Sequence, residues 1–193
     1  MISLKKYEDL PINTHEILRY MGCSKQQDKQ VLKLTEDCLN ELGKALTYKV
    51  CFDEFPVKCS ANTVEFPFAK ADSSALYKCL QGFSRAVIFG ATIGFEIDRL
   101  ILKYSRLSPS RALCFQAIGA ERIEALCNAF CGDLSDEKQR ISPRFSPGYG
   151  DLSLSFQTEI FKVLDLPRKI GVSLNSALLM SPSKSVTAII GTD

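Results

Sequence analysis

Histidine is nearly missing from this sequence. Its 193 residues contain one, His15, in the first turn of a short predicted helix, where solvent is its expected environment. Cys-x-x-Cys is missing altogether although there are eight cysteines, so neither a zinc ribbon nor a thioredoxin-like redox pair has support. Those cysteines fall largely within apolar periodic segments of a sizeable chain, which favours buried reduced thiols over a disulfide framework. No apolar run approaches a membrane span, and Met1-Ile2-Ser3-Leu4-Lys5-Lys6 carries neither the apolar core nor the cleavage site of a signal peptide. A soluble, cytoplasmic protein with no membrane partner is the expectation. The net charge is +2, and Lys and Arg are dispersed among acids, so there is no basic stripe and no nucleic-acid partner is expected. Internal repeats, low-complexity tracts and long linkers are also absent, and the length suits one well-buried domain over residues 1–193.

What is present has ordinary globular proportions, with 46% hydrophobic and 24% charged residues. Thr14 is placed to cap a helix through Met21, with Gly22 as its stop. From about Asp28 to Leu46, Val31, Leu34, Cys38, Leu42 and Ala45 recur at helical spacing. The period then changes, and Tyr48–Phe52 and Thr63–Phe66 read as strands separated by a Pro56-containing connection. Ser73 or Ser74 starts a helix through Leu80. Arg85–Gly90, continuously apolar from Ala86 to Phe89, reads as a buried strand, and Gly90 and Gly94 mark the bend after it. Helices follow from about Phe95 to Tyr104 and, after the cap Ser108 and the helix-starting Pro109, to about Phe130. Gly132–Glu137 reads as an acidic loop, Ser153–Leu164 as a helix, and Ile170–Leu174 and Val186–Gly191 as strands. Strands in pairs without regular βα alternation predict an α+β fold whose mainly antiparallel, twisted sheet packs with helices.

The densest chemistry lies in Ser142-Pro143-Arg144-Phe145-Ser146-Pro147-Gly148-Tyr149-Gly150-Asp151. Its prolines push Ser142 and Ser146 toward extended backbone, and Pro147-Gly148 supplies the two central residues of a type II turn. Arg144 and Tyr149 flank that bend. Arg144 offers a planar fork of donors to a carboxylate, and Gly148 and Gly150 let a ligand approach the backbone closely. A structural turn in which Arg144 pairs with a local acid is the other reading. Gly148-Tyr149-Gly150-Asp151-Leu152-Ser153 falls one residue short of a dinucleotide fingerprint, but no preceding strand and parallel unit accompany it. On the long helix, Ile123, Leu126, Cys127 and Phe130 form the buried stripe, with Glu124 on its flank and Glu121 nearly opposite.

Arg144-Phe145-Ser146-Pro147-Gly148-Tyr149 resembles the Arg-x-x-Pro-Gly-Tyr motif of the activation domain of vitamin B12-dependent methionine synthase. Three further segments resemble small stand-alone members, in family order: Glu16–Gly22, Ala91–Ile101 and Ser181–Gly191. The resemblance implies that the chain binds S-adenosylmethionine and helps rescue a methionine synthase whose cobalamin has been oxidised to cob(II)alamin. A flavodoxin-type donor would supply one electron and S-adenosylmethionine the methyl group, with cobalamin held only by the partner synthase, in trans. It further implies that Arg144 takes the ligand carboxylate. Carbonyls near Ser146 and Pro147 would face its ammonium or sulfonium, Gly148 would let it approach, and Tyr149 would line it. Glu124 is the closest match to a helix glutamate near the family's ligand, with a surface ion pair as its other reading. Lys184, Ser183, Ser185 and Thr187 would contact a ligand or partner, or simply finish a turn and a strand, while Thr92 and Gly94 read first as packing residues.

After the Gly-Tyr the sequence departs from fused activation domains, continuing as Gly150-Asp151-Leu152-Ser153-Leu154 where they carry a stretch with proline, cysteine and histidine. The Asp-x-His-x-x-Gly segment that carries cobalamin in the catalytic enzyme is missing, and so is a cysteine set for zinc, so methionine synthesis by this chain alone is not expected. The competing reading is a non-catalytic module docking on another corrinoid methyltransferase. An independent small-molecule methyltransferase has less support, since no general base stands out.

Overall fold

The computed structural model describes residues 1–23 and 29–193. Its elements are β1 (Ser3–Tyr7), α1 (Thr14–Tyr20), α2 (Lys29–Leu42), β2 (Tyr48–Pro56), β3 (Lys58–Ser60), β4 (Thr63–Glu65), β5 (Lys70–Asp72), α3 (Ser74–Leu80) and β6 (Arg85–Thr92). They continue as α4 (Glu96–Leu107), α5 (Pro109–Glu137), a 3-10 turn (Leu154–Phe156), α6 (Gln157–Leu164), α7 (Leu166–Ile170), β7 (Ser173–Leu174), β8 (Met180–Ser181) and β9 (Ser185–Thr192). The main sheet has the order β1-β2-β6-β9 and is antiparallel throughout. The α+β class and the antiparallel sheet packed against helices are thus as the sequence predicts.

Strand β6 explains the architecture. It is buried from Ala86 to Thr92, and a strand apolar on both faces requires cover on both. Val87, Phe89 and Ala91 enter one core with Val50, Ala188 and Ile190, which α1, α2, α4 and α5 cover. Ala86 and Ile88 enter a second core with Cys51 and Ile189, closed by α3, α6 and α7. Phe130 of α5 seats its ring 4.9 Å from Phe89 and 5.0 Å from Phe52. Helix α5 has the sheet on one side and α1, α2 and α4 on others, which is why its apolar residues occupy most of its circumference.

Several expectations change. Gly132–Glu137 is helical: Leu134, four residues beyond Phe130, is 3% exposed and extends the buried stripe that the surrounding acids obscure. Glu121, expected nearly opposite that stripe, is 5% exposed because residues 10–13 lie over it. Asn13, not Thr14, caps α1. Helix α2 stops at Leu42, short of Leu46, and the expected start at Asp28 lies outside the described residues. Pro56 ends strand β2 rather than lying in a connection. The segment expected as a strand from Ile170 is helical to Ile170 and extended only at Ser173–Leu174. Strands β1, β3, β5 and β8 had no separate signal. All eight cysteines are free thiols, four of them buried. No helix among the described residues is long and apolar enough to cross a membrane.

Acid should loosen this fold. The carboxylate of Glu41 accepts from Lys103 at 2.8 Å, from Arg111 at 2.5 Å and from the Tyr104 hydroxyl, and these donors, Lys103 foremost, hold it at about 2. Ser73 and Ser74 hold Asp151 below the usual carboxylate range in the same way. A folded pKa below the unfolded one stabilises fully above the unfolded value and progressively less as pH falls toward the folded value. The thermal midpoint should therefore hold down to about pH 4.5 and fall below it; a midpoint that rises on acidification would contradict this.

Candidate functional site

The segment carrying the Arg144 motif is fastened along the outer edge of β9. Phe145 exchanges both backbone hydrogen bonds with Ile189, at 2.9 and 2.8 Å. The Ser142 N–H donates to the Gly191 carbonyl at 2.9 Å, and the Ser142 hydroxyl accepts from the Gly191 N–H at 2.8 Å. At Ser146 the chain leaves the edge. Alternation along β9 turns the N–H and C=O of Thr187 to the same side as those of Ile189 and Gly191, so they face the space the segment has vacated. That space is a cleft of about 340 Å³.

The predicted bend is there. Gly148 has φ +92° and the Tyr149 N–H donates to the Ser146 carbonyl at 3.2 Å, as a type II turn over Pro147-Gly148 requires. Asp151 then ties the loop down. Its carboxylate accepts from the Ser73 and Ser74 hydroxyls at 2.5 and 2.7 Å, and from the Ser74 and Ala75 N–H groups at 2.8 and 3.1 Å, at the start of α3. An anion is well placed at a helix N-terminus. Gly150 lies between, at φ +56°, with space for no Cβ: one there would come within 2.8 Å of the Ala75 Cβ. Gly150→Ala should thus destabilise by about 1–2 kcal/mol or more from the left-handed backbone alone, read by denaturant unfolding.

Five predicted residues, Glu124, Arg144, Ser146, Pro147 and Tyr149, line the cleft, while Gly148 shapes the turn without lining it. Arg144 donates through Nη2 to Glu124 Oε2 at 2.6 Å, and its Nη1 is buried with no hydrogen-bond partner. Burial pushes the neighbouring Cys127 thiol up to about 12 against the opposing pull of that guanidinium, so it is neutral at physiological pH. Tyr149 is 67% exposed at the mouth. Ser185 and Thr187 line the wall. The Ser185 hydroxyl is already engaged with the Pro182 carbonyl and the Thr92 hydroxyl, at 2.8 and 2.9 Å. Ser183 is held by Asp98, and Lys184 lies across Gly119 with its ammonium on Gln116 Oε1 at 2.8 Å; neither lines the cleft. His15 is solvent-exposed. Sequence reasoning missed Leu154, Gln157 and Met180 as lining residues, because their place depends on how the α6 and β7–β8 region folds over β9.

An antiparallel sheet between two helical layers, with a ligand-sized cleft at its outer edge, is thus the frame. Over 100% of this chain and 78% of the other, it matches the solved structure of the MetH reactivation domain bound to AdoHcy, with a TM-score of 0.75 and 14% sequence identity. The chain has the fold of that domain. No family model matches the sequence, and no curated protein does.

Proposed function

We propose that this chain binds S-adenosylmethionine and acts in trans as an accessory subunit for the reductive reactivation, by remethylation, of a cobalamin-bound methionine synthase. The observation that carries this reading is Arg144 in its cleft, a guanidinium whose Nη2 is paired with Glu124 on the same lining. The α-carboxylate of an amino-acid ligand would take the place of Glu124 on that guanidinium, and Glu124, displaced from that bond, would face the ligand's ammonium or sulfonium cation. The open edge at Thr187 adds a backbone donor and acceptor. The fold match supports the same ligand class, since the neighbour is bound to AdoHcy. S-adenosylmethionine supplies the methyl group and this chain orients it. Cobalamin enters only through the partner, and a flavodoxin-type donor supplies the electron.

The test is calorimetric titration of S-adenosylmethionine into the protein alone and mixed with cobalamin-bound methionine synthase. Saturable binding in either setting supports the reading, and silence in both overturns it. Silence would favour a docking module for another corrinoid methyltransferase. The exposed Tyr149, Leu154 and Leu179, at or beside the cleft, give that second reading its support.

A further inference from the structure

We infer that Gln157 is the residue by which the cleft selects a nucleoside bearing an exocyclic amino group over its 6-oxo counterpart, an assignment that rests on the nucleoside-ligand reading above. Gln157 is 2% exposed, yet it lines the cleft. Its Nε2 donates to the Leu178 carbonyl at 2.6 Å. Because a carbonyl only accepts, that bond fixes which end of the amide is which. The Leu178 carbonyl is itself held in place. Asn175 Oδ1 accepts from the Ala177 and Leu179 N–H groups at 2.9 Å each, and Leu178 takes φ +60° between them. Gln157 Oε1 therefore cannot turn away, and among the described residues it has no hydrogen-bond donor. An acceptor that faces a cleft is satisfied by what enters it.

The position of Gln157 says which part of a ligand it meets. The cleft passes round the open edge of β9. Glu124 reaches it from α5, over the first core, and Gln157 from α6, over the second. The ion pair and the neutral acceptor thus stand on opposite faces of the sheet. On the Gln157 side the lining is Leu154, Phe145 and Met180, apolar walls that suit a flat, uncharged ring and leave a charged group unsolvated. One N–H donor on that ring completes the match, and the 6-amino group of adenine is such a donor. A 6-oxo ring sets acceptor against acceptor at that position, its own N–H, at N1, lying one ring position away.

Titrations with S-adenosylhomocysteine and S-inosylhomocysteine test this. The native protein should prefer the adenosyl compound by at least about tenfold, and Gln157→Leu should narrow the preference to about threefold or less, chiefly by weakening the adenosyl compound. A 6-dimethylamino analogue, which has no N–H to give, should bind the native protein as weakly as the inosyl compound, a measurement that does not depend on how the variant folds. Equal native affinity for the adenosyl and inosyl compounds, an undiminished dimethylamino analogue, or an unchanged preference in folded Gln157→Leu each overturns the role of Gln157 and leaves the ligand reading standing. If the native protein binds none of the three, both fail.

Discussion

Arg144→Ala should weaken S-adenosylmethionine binding by about 100-fold or more while leaving the fold in place. Hydrogen bonds to charged groups contribute about 1.5–3 kcal/mol each, and two of them to a carboxylate account for a loss of that size, since about 1.4 kcal/mol is a factor of ten. The fold should survive because the segment is fastened through the backbones of Ser142 and Phe145 and through Asp151, not through the Arg144 side chain. Arg144→Lys should recover only part of the loss, since an ammonium keeps the charge and gives up the planar fork. The checks are calorimetry for affinity and a thermal melt for fold. Undiminished affinity in a folded Arg144→Ala protein would remove Arg144 from the site.

The bend beside Arg144 was legible in the sequence for a physical reason. Pro143 and Pro147-Gly148 fix the local backbone almost independently of what surrounds it, so the turn could be read from four or five residues. Strand β6 was legible because Ala86-Val87-Ile88-Phe89 admits only burial on both faces. Gln157 was not. It sits at the first position of α6, where its residue type carries no chemical signal of its own. Its significance comes from Leu178, twenty-one residues away in sequence, whose carbonyl it holds. The end of α5 was misread for a related reason. Gly132, Asp133, Asp136 and Glu137 look like a loop in isolation, and only the burial of Leu134 against the first core makes the helix pay there. Local conformation is written in neighbours, but exposure is decided by which distant segment arrives to cover a face.

Glu121 is the sharpest case of that rule, and it leads to the second large effect. Arg122→Leu should destabilise the protein by about 3–5 kcal/mol, the cost of stranding a buried charge. The pair is 2% and 5% exposed in its side chains and joined at 2.5 and 2.6 Å. The same guanidinium donates to the Leu10 and Pro11 carbonyls at 2.8 and 2.5 Å, while Glu121 accepts from the Asn13 N–H at 3.0 Å. Removing Arg122 leaves a carboxylate without its cation and two carbonyls without donors, and it unfastens the stretch that leads from β1 to α1. Replacing both residues with leucine removes the stranded charge, so the double variant should be more stable than Arg122→Leu alone. Urea unfolding of the single and double variants measures the coupling directly. A loss below about 1 kcal/mol in Arg122→Leu would place the pair with surface ion pairs, which contribute little, and would contradict its burial. Because Arg144 and Glu124 take no bond from Arg122, ligand affinity measured where the single variant is still folded should change far less than its stability, which separates the scaffold of α5 from the cleft it supports.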